Sequence, residues 1–355
     1  MKFKRIILVS LLLCGNTYLI ATENNDNKKN KRQRFEWFFK ARDWYYQTFE
    51  NVDSTYVHNP KWKMSVQLLS DNYIDFQNVT INQSDFENTE NDNKTQKKQY
   101  HAALQSSLLY NLGASFTFQP FTISYYFSLN DLLGRKNSIQ KYYLRLSNSM
   151  LIGTFEYYNN KITEQNRPTS SLQSDIPDNL SIDKYMYQSI NANAHYVFNY
   201  KQYNQSACYS FSRIQLKSAG SALIGIDYSW QDMQIDLVAT QDNLIGKNNF
   251  ATHSFCISGG YGYNAVIPLK RKSTLNHLCF NITILPRVGL RRAFFDHQPQ
   301  YQFAFNPAAK IGMAYNYKRF FCGIQANHNG QLNFHNRTMY SSIILNFKAN
   351  IGVRF

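Results

Sequence analysis

Histidines placed near hydroxyl side chains are the residues of this chain that could support acyl hydrolysis. A serine nucleophile needs a histidine base within hydrogen-bond reach. On a strand, the residue two places after a histidine lies on the same face, but after His328 that place holds Gly330. His195 stands among small and polar neighbours, which favours a packing or lumen role. The sequence therefore predicts no catalytic residue.

The other histidines and the glycine-rich run show no cofactor pattern. His253, His277, His297 and His335 lack the spacing of metal ligands. The run Gly259-Gly260-Tyr261-Gly262 lacks the helix that a phosphate-binding loop requires, and it fits better a strand that bends or packs closely. We expect neither a metal ion nor a cofactor.

Basic side chains are the one chemically distinctive group on the predicted strands. They fall on the polar row of a strand or close to its end, and acids are fewer there, with Asp227 the clearest. The basic candidates are Arg145, Arg287, Arg291, Lys310, Lys348 and Arg354. If the strands close into a barrel, these side chains line its lumen, where rings of charge select ions. The alternatives are a passage or binding site for anionic solutes and a closed lumen in which these groups pair with acids and water.

The final strand indicates what surrounds those side chains. Its apolar row is Ile343, Leu345, Phe347, Ala349, Ile351, Val353 and Phe355, and its polar row is Ser342, Asn346, Lys348, Asn350, Gly352 and Arg354. Alternate side chains of a strand point to opposite faces, so this pattern is typical of a transmembrane β-barrel with lipid outside. Ile351, Val353 and the terminal Phe355 resemble the C-terminal insertion signal of bacterial outer-membrane barrels, which predicts the barrel-insertion machinery as a partner. A half-buried edge strand of a soluble protein is the alternative.

The N-terminal residues predict export. Three basic residues precede an apolar run, so we expect residues 1–21 to be a secretory signal peptide, with lipidation at Cys14 as the alternative. Residues 22–34 are basic and polar, which predicts disorder. Residues 35–62 are expected to form an amphipathic or capping segment. No later run is long and apolar enough for a transmembrane helix.

Composition agrees with a membrane barrel. The chain has 26 Tyr and 26 Phe among 355 residues, and barrels place aromatic residues at both membrane interfaces. A formal net charge of +15 suits outer-membrane lipids and lipopolysaccharide as partners, and an exported chain does not routinely meet nucleic acid. The predicted location is therefore the outer membrane of a Gram-negative bacterium. Cys208, Cys256, Cys279 and Cys322 are expected to be mostly free, packed thiols.

Residues 63–355 are predicted to form the barrel. Alternation gives about twelve strands, with 206–214 among them, or fourteen if residues 142–158 and 219–239 are both hairpins. Long polar connections are expected at 82–99, 159–184, 241–249 and 295–302. Outer-membrane barrels have long loops on the outside of the cell. A barrel of fourteen strands would place all four long connections there, so fourteen strands are slightly favoured over twelve.

Several short runs of the chain stand in a distinctive order and spacing. They include Asp53-Ser54-Thr55-Tyr56-Val57, Ser258-Gly259-Gly260-Tyr261-Gly262-Tyr263-Asn264, Leu285-Pro286-Arg287-Val288-Gly289 and Asn306-Pro307-Ala308-Ala309. Together these runs resemble a Bacteroidota family of outer-membrane barrels described only as a domain of unknown function. The resemblance covers roughly residues 42–355. It implies location and architecture, and it brings no activity and no catalytic residues.

The predicted fold is all-β, an antiparallel transmembrane β-barrel of about 12–14 strands with a short N-terminal helical or disordered segment. The expected function is that of a non-enzymatic outer-membrane barrel, either structural or a passive pore with a basic lumen. Two alternatives stay open. One is an outer-membrane enzyme that modifies lipid or lipopolysaccharide, and the other is a soluble periplasmic β-protein that binds an apolar ligand.

Overall fold

The structure is a computed structural model that describes residues 51–82, 99–105, 109–129, 137–162, 180–239, 243–269, 276–295, 298–335 and 338–355. The predicted signal peptide, the basic segment 22–34 and most of the segment 35–62 lie outside these residues. Their described remainder, residues 51–62, contains the short strand β1. In the part of the chain that the structure describes, no helix has the length and apolar character needed to cross a membrane.

The described elements have the following bounds. They are β1 Val57–His58, β2 Met64–Asn82, β3 Gln99–Gln105, β4 Leu109–Phe118, β5 Phe121–Ser128, β6 Asn137–Ser147, β7 Leu151–Ile162, β8 Leu180–Val197, the helix α1 Ser206–Tyr209, β9 Ile214–Gln215, β10 Ala219–Ala239, β11 Asn243–Pro268, β12 Asn276–Ile284, β13 Arg287–Phe295, β14 Gln298–Asn306, β15 Ala308–Tyr317, β16 Phe320–His335 and β17 Thr338–Arg354.

One antiparallel sheet of fifteen strands closes on itself. β10 pairs with β8 on one side and with β11 on the other, so the sheet has no free edge there. The last strand, β17, returns to β2 and pairs with it along residues 340–354. At this seam the Met64 amide donates to the Phe355 carbonyl (3.3 Å) and the Phe355 amide donates to the Met64 carbonyl (2.9 Å). The sheet is therefore a closed β-barrel, which leaves no exposed edge to aggregate.

Three of the full-length strands are interrupted. In each case two consecutive segments pair with different parts of the same neighbour. β3 and β4 pair with β2. β12 and β13 pair in one register with β11, and β14 and β15 pair in one register with β16. Two breaks hold Pro286 and Pro307, which cannot donate to the ladder. Joining these three pairs of halves reduces the fifteen segments of the sheet to twelve full-length strands around the ring. This count lies in the predicted range.

Two sequence expectations about the strands were wrong. Residues 219–239 form the single strand β10 and not a hairpin, because the polar residues near its middle continue the ladder. Residues 206–214 form no barrel strand, since they contain α1 and only begin β9 at Ile214. Residues 142–158, in contrast, do turn: the Asn148 side chain accepts hydrogen bonds from the next backbone amides, as in an Asx-turn.

The two ends of the barrel carry different connections. Short turns join β4 to β5, β6 to β7 and β15 to β16 at the end where β2 begins and β17 ends. β2 and β7 end at Asn82 and Ile162 at the opposite end of the barrel, and the predicted loops that follow them lie outside the described residues. The other two predicted loops, 241–249 and 295–302, are mostly strand.

Side chains alternate between an outer row and a lumen-facing row. β5 shows this in full, with every odd residue from Phe121 to Phe127 exposed and every even one buried. On β17, Phe347 and Ile351 are exposed, whereas Asn350 and Arg354 are buried. Large apolar side chains such as Leu290, which is 69 % exposed, cover the outside. A water-soluble surface keeps such patches small, so this outer face is that of a transmembrane barrel.

Candidate functional site: a plugged, basic lumen

Residues 199–215, which we call the plug, fold back into the lumen between β8 and β10. Most plug side chains are sheltered, and Tyr203, Ala207, Cys208 and Phe211 are 0 % exposed. The helix α1 lies within the plug, and β9 ends it by pairing with β1. Strands on several sides of the ring contact the plug, so it fills the lumen at the end where the chain terminates.

Polar side chains of the wall hold the plug backbone. Gln67 of β2 donates to the Ser210 carbonyl (3.3 Å), and Gln325 of β16 donates to the Cys208 carbonyl (3.3 Å). Gln119, in the turn between β4 and β5, donates to another plug carbonyl. These bonds satisfy carbonyl groups that burial has removed from water, and each unsatisfied group would cost about 1–3 kcal/mol.

A network of amide side chains ties the start of the plug to its end and to the wall. The Gln215 Oε1 atom accepts from the Asn204 amide and from Asn264 Nδ2, both at 3.0 Å. Asn281 Nδ2 donates to Asn264 Oδ1 (2.7 Å) and to the Tyr203 hydroxyl (3.0 Å). Burial raises the pKa of Tyr203 to about 12. The hydroxyl therefore stays protonated and neutral in this site at physiological pH.

Arg354 of the last strand anchors the plug. Its Nε and Nη2 atoms donate to the Phe211 carbonyl at 3.1 and 2.8 Å, and its guanidinium lies 4.5 Å from the Phe321 ring centroid. Phe321 stacks on Phe211 with a centroid distance of 4.8 Å. Phe211 has a φ of 56°, which is unusual for a bulky residue and is held by these contacts. A Cβ on Gly323 would lie 2.6 Å from the Phe211 ring, so only glycine leaves room for it.

All six basic candidates lie on lumen-facing rows. Like Arg354, Arg145 and Arg291 form polar contacts with the plug or the wall. Arg145 reaches the plug, where its Nη2 atom lies 3.5 Å from Gln205 Oε1. Arg291 is 1 % exposed and donates to Ser254 Oγ (2.6 Å) and Asn306 Oδ1 (3.1 Å). These side chains therefore brace the wall and the plug, as Arg354 does.

Asp227 balances Arg287. The Arg287 Nε atom lies 3.3 Å from Asp227 Oδ1, and the His195 Nε2 atom lies 3.5 Å from Asp227 Oδ2. Arg287 also donates to Asn329 Oδ1 at 3.4 Å. The acid that the sequence singled out thus meets one of the basic candidates and positions a histidine beside it.

A second buried acid, Asp71, holds two lysines in the lumen. Its side chain is 0 % exposed and lies 3.1 Å from Lys141 Nζ and 3.7 Å from Lys348 Nζ. Lys141 also meets Glu156 at 3.2 Å, and Asn346 donates to Asp71. Lys348 was predicted from the sequence, whereas Asp71, Lys141 and Glu156 were not. The cluster is close to charge-balanced, which limits the field that it presents to a solute.

Lys310 stands apart from these pairs. Among the described residues, no carboxylate lies within ion-pair distance of its amine. It lines a cavity of about 20 Å³ between plug and wall, together with Arg145, His195 and Gln205. Arg145 Nε has no hydrogen-bond partner there. The volume suits about one water-sized group, and the cationic lining favours a small anion.

The histidines show no arrangement for nucleophilic catalysis. His328 lies on the outer row of β16, opposite Leu345. His195 contacts Asp227, but within the described ranges no serine, threonine or cysteine forms a hydrogen bond with it. The same ranges hold no group of three or more side chains placed to bind a metal ion.

The chain matches one protein family over most of its length. Residues 51–355 match the family model described as Domain of unknown function (DUF4421). No curated protein matches the chain.

The chain is similar to several solved structures of membrane barrels, at low identity. The translocator domain of autotransporter NalP from Neisseria meningitidis has a TM-score of 0.35 and 10 % identity, with 90 % of this chain and 98 % of that chain covered. The outer membrane protease OmpT from Escherichia coli has a TM-score of 0.34 and 6 % identity, with 83 % and 97 % covered. The Pseudomonas putida toluene transporter TodX has a TM-score of 0.25 and 8 % identity, with 83 % and 90 % covered. The fold assignment rests on the strand pairing of this chain itself.

Proposed function

The chain belongs to the DUF4421 family, whose function is unknown, and we propose that it is a non-enzymatic outer-membrane β-barrel with a closed, basic lumen. The plug carries this proposal. A passive pore needs a continuous water path, whereas here residues 199–215 occupy the lumen and bind wall residues from several sides. The closed, structural barrel is therefore favoured over the open pore.

Two observations and one sequence prediction support an outer-membrane location. The outer face is apolar, as lipid requires. The seam brings the start of β2 and the end of β17 to the barrel end with the short turns, which in outer-membrane barrels is the periplasmic end. The predicted signal peptide provides export, and lipopolysaccharide and the insertion machinery remain the proposed partners. A Bacteroidota source stays a prediction.

We expect the purified full-length protein to insert into a planar lipid bilayer without steady conductance. The plug occupies the lumen, and several of its carbonyl groups accept hydrogen bonds from wall side chains, which holds it in place against the flow of ions. The measurement is current against voltage at low and high salt, with an open porin in the same chamber as the control. Regular conductance steps from the wild-type barrel would contradict the closed lumen and favour the passive pore.

The terminal strand tests the location. Ile351 is 62 % exposed on the outer row, and a charged side chain on the lipid face costs on the order of 2–4 kcal/mol near the midplane and less near the interfaces. Ile351→Arg should reduce the amount of folded barrel in the outer-membrane fraction, and so should deletion of Phe355, which removes the two seam hydrogen bonds with Met64. Ile351→Leu is the matched control. Wild-type levels of both altered chains would argue against recognition of this strand during insertion.

The basic compartment favours a second role, binding of a small anion between the plug and the wall. Lys310 has no carboxylate partner among the described residues, and Arg145 has a free Nε–H beside the same cavity. An anion there would offset two positive charges in a sheltered site, where unpaired charge is costly. The enzyme alternative has weaker support, because His195 contacts Asp227 and no hydroxyl or thiol side chain of the described residues is hydrogen-bonded to this histidine.

A further inference from the structure

Two cysteine side chains meet where the plug touches the wall. Cys208 lies on α1 in the plug, Cys279 lies on β12, and their Sγ atoms are 3.2 Å apart. Both residues are 0 % exposed, and both are thiols in the structure. The two positions are 71 residues apart in the chain, so the contact links distant parts of the fold.

Neighbouring groups hold Cys208 in this position. Its Sγ atom lies 3.4 Å from the Cys279 carbonyl oxygen, and Gln325 donates to its own carbonyl at 3.3 Å. On β15, a Cβ at Gly312 would lie 3.3 Å from the Cys208 Cβ, so the wall backbone packs closely against it. A sulfur–sulfur bond is about 2.0 Å long. The two sulfur atoms, which are 3.2 Å apart, therefore need to approach by only about 1.2 Å to reach that length.

We propose that Cys208 and Cys279 form a disulfide that bonds the plug covalently to the barrel wall. Its occurrence in the cell rests on the proposed export, because disulfides persist in oxidising compartments such as the periplasm. The other two described cysteines do not share this geometry. Cys256 faces the lumen beside Asn306, and Cys322 lies opposite the outer-row residue Ile351.

The oxidant is the disulfide of a thiol oxidoreductase, or oxidised glutathione in vitro. One cysteine thiolate attacks a sulfur of that disulfide, which forms a mixed disulfide and releases the first oxidant thiol. The second thiolate then attacks the mixed disulfide, so the Cys208–Cys279 bond forms and the second oxidant thiol leaves. The protein loses two electrons and two protons, and the oxidant gains them as two thiols.

The reaction belongs to folding and not to the finished barrel. The hydrogen bond with Cys279 and burial hold the pKa of the Cys208 thiol well above its ordinary value, and thiolate is the reactive form. An oxidant cannot reach a side chain that is 0 % exposed. We therefore place the reaction at plug docking, after which the same burial shields the disulfide from reductants and locks the lumen closed.

The test uses the full-length protein refolded in detergent with a mixture of reduced and oxidised glutathione. Folding is followed by the faster migration of the unheated barrel on a gel. The refolded protein is then denatured, its free thiols are labelled with a maleimide, and the digest is analysed by mass spectrometry. We expect label on Cys14, Cys256 and Cys322, loss of label on Cys208 and Cys279, and one linked peptide pair. Non-reducing gels should show a faster denatured band, and Cys208→Ser or Cys279→Ser should abolish the shift while Cys256→Ser keeps it.

Two results of this experiment would overturn the proposed disulfide. Folded protein with maleimide on Cys208 and Cys279, or a linked pair that involves Cys256 or Cys322, would overturn the proposal. A separate arm fractionates cells that express the chain and labels the thiols of each fraction. Outer-membrane protein with free Cys208 and Cys279 thiols also overturns it. Reduced protein confined to the cytoplasm, together with the linked pair in vitro, would instead support the disulfide geometry and reject the proposed location.

Discussion

Removal of the plug should turn a non-conducting barrel into an anion-preferring pore. The change is to replace residues 203–213 by a short Gly-Ser linker. The ends of this segment are close, since Gln215 Nε2 lies 2.6 Å from the Gln202 carbonyl oxygen. Without the plug, Arg354 loses the Phe211 carbonyl and Arg145 loses Gln205, so two cations face the emptied lumen. We expect discrete conductance steps and a reversal potential of the sign given by anions under a salt gradient.

The ion preference should weaken as salt rises, because screening limits the reach of these charges to about 8 Å at physiological ionic strength. The matched control is the same linker with Arg145→Gln and Arg354→Gln, which should conduct with less preference for anions. Phe211→Ala provides a milder variant that keeps the chain length and removes the stack on Phe321. A plugless barrel that folds and remains as silent as the wild type would show that another segment closes the lumen.

Replacement of Asp71 should destabilise the barrel more than any other single charge change in the lumen. Asp71→Ala leaves Lys141 and Lys348 buried beside each other without their shared carboxylate. Loss of one partner of a buried ion pair typically costs about 3–5 kcal/mol. We expect a lower urea midpoint of unfolding in detergent micelles, measured by the loss of the fast-migrating folded band and by circular dichroism.

Glu156 provides the comparison within the same cluster. Its side chain is 26 % exposed, and among the described residues it forms an ion pair with Lys141 alone, so Glu156→Gln should cost only about 0–1 kcal/mol. Asp71→Asn should fall between the two, since it keeps a hydrogen-bond acceptor for Asn346 but not the charge. Equal midpoints for Asp71→Ala and Glu156→Gln would mean that the lysines are solvated and not dependent on Asp71.

Alternation predicted the barrel because lipid and lumen impose opposite demands on neighbouring residues. On β17 nearly every position faces either lipid or lumen, so the exposed residues lie on the apolar row and the buried residues lie on the polar row. The pattern fails on β2 near Asp71, where Leu69 and Tyr73 face the lumen and Ser70 and Asn72 lie on the other row. Because its neighbours on the lumen-facing row are apolar, Asp71 could not be recognised as a lumen residue from the alternation of polar and apolar residues.

The plug was not predictable from its own residues. Tyr209 and Phe211 alternate with serines, so the segment has the pattern of a barrel strand. What separates the two cases lies far away in the sequence: the Phe211 carbonyl binds Arg354, 143 residues later, and Phe211 fits against the wall because position 323 is glycine. Arg354 could be placed on the polar row, but its role depends on a contact that local pattern does not contain.

The seam between β2 and β17 has a consequence for the order of assembly. These strands are the first and the last of the barrel, so the ring is complete only once β17 pairs with β2. The plug sits between them in the sequence, yet it is enclosed by strands from both halves. The pairing that closes the ring joins residues from opposite ends of the barrel sequence, and contacts of this kind form slowly compared with local ones. Closure of the ring and packing of the plug therefore both depend on contacts between distant parts of the chain.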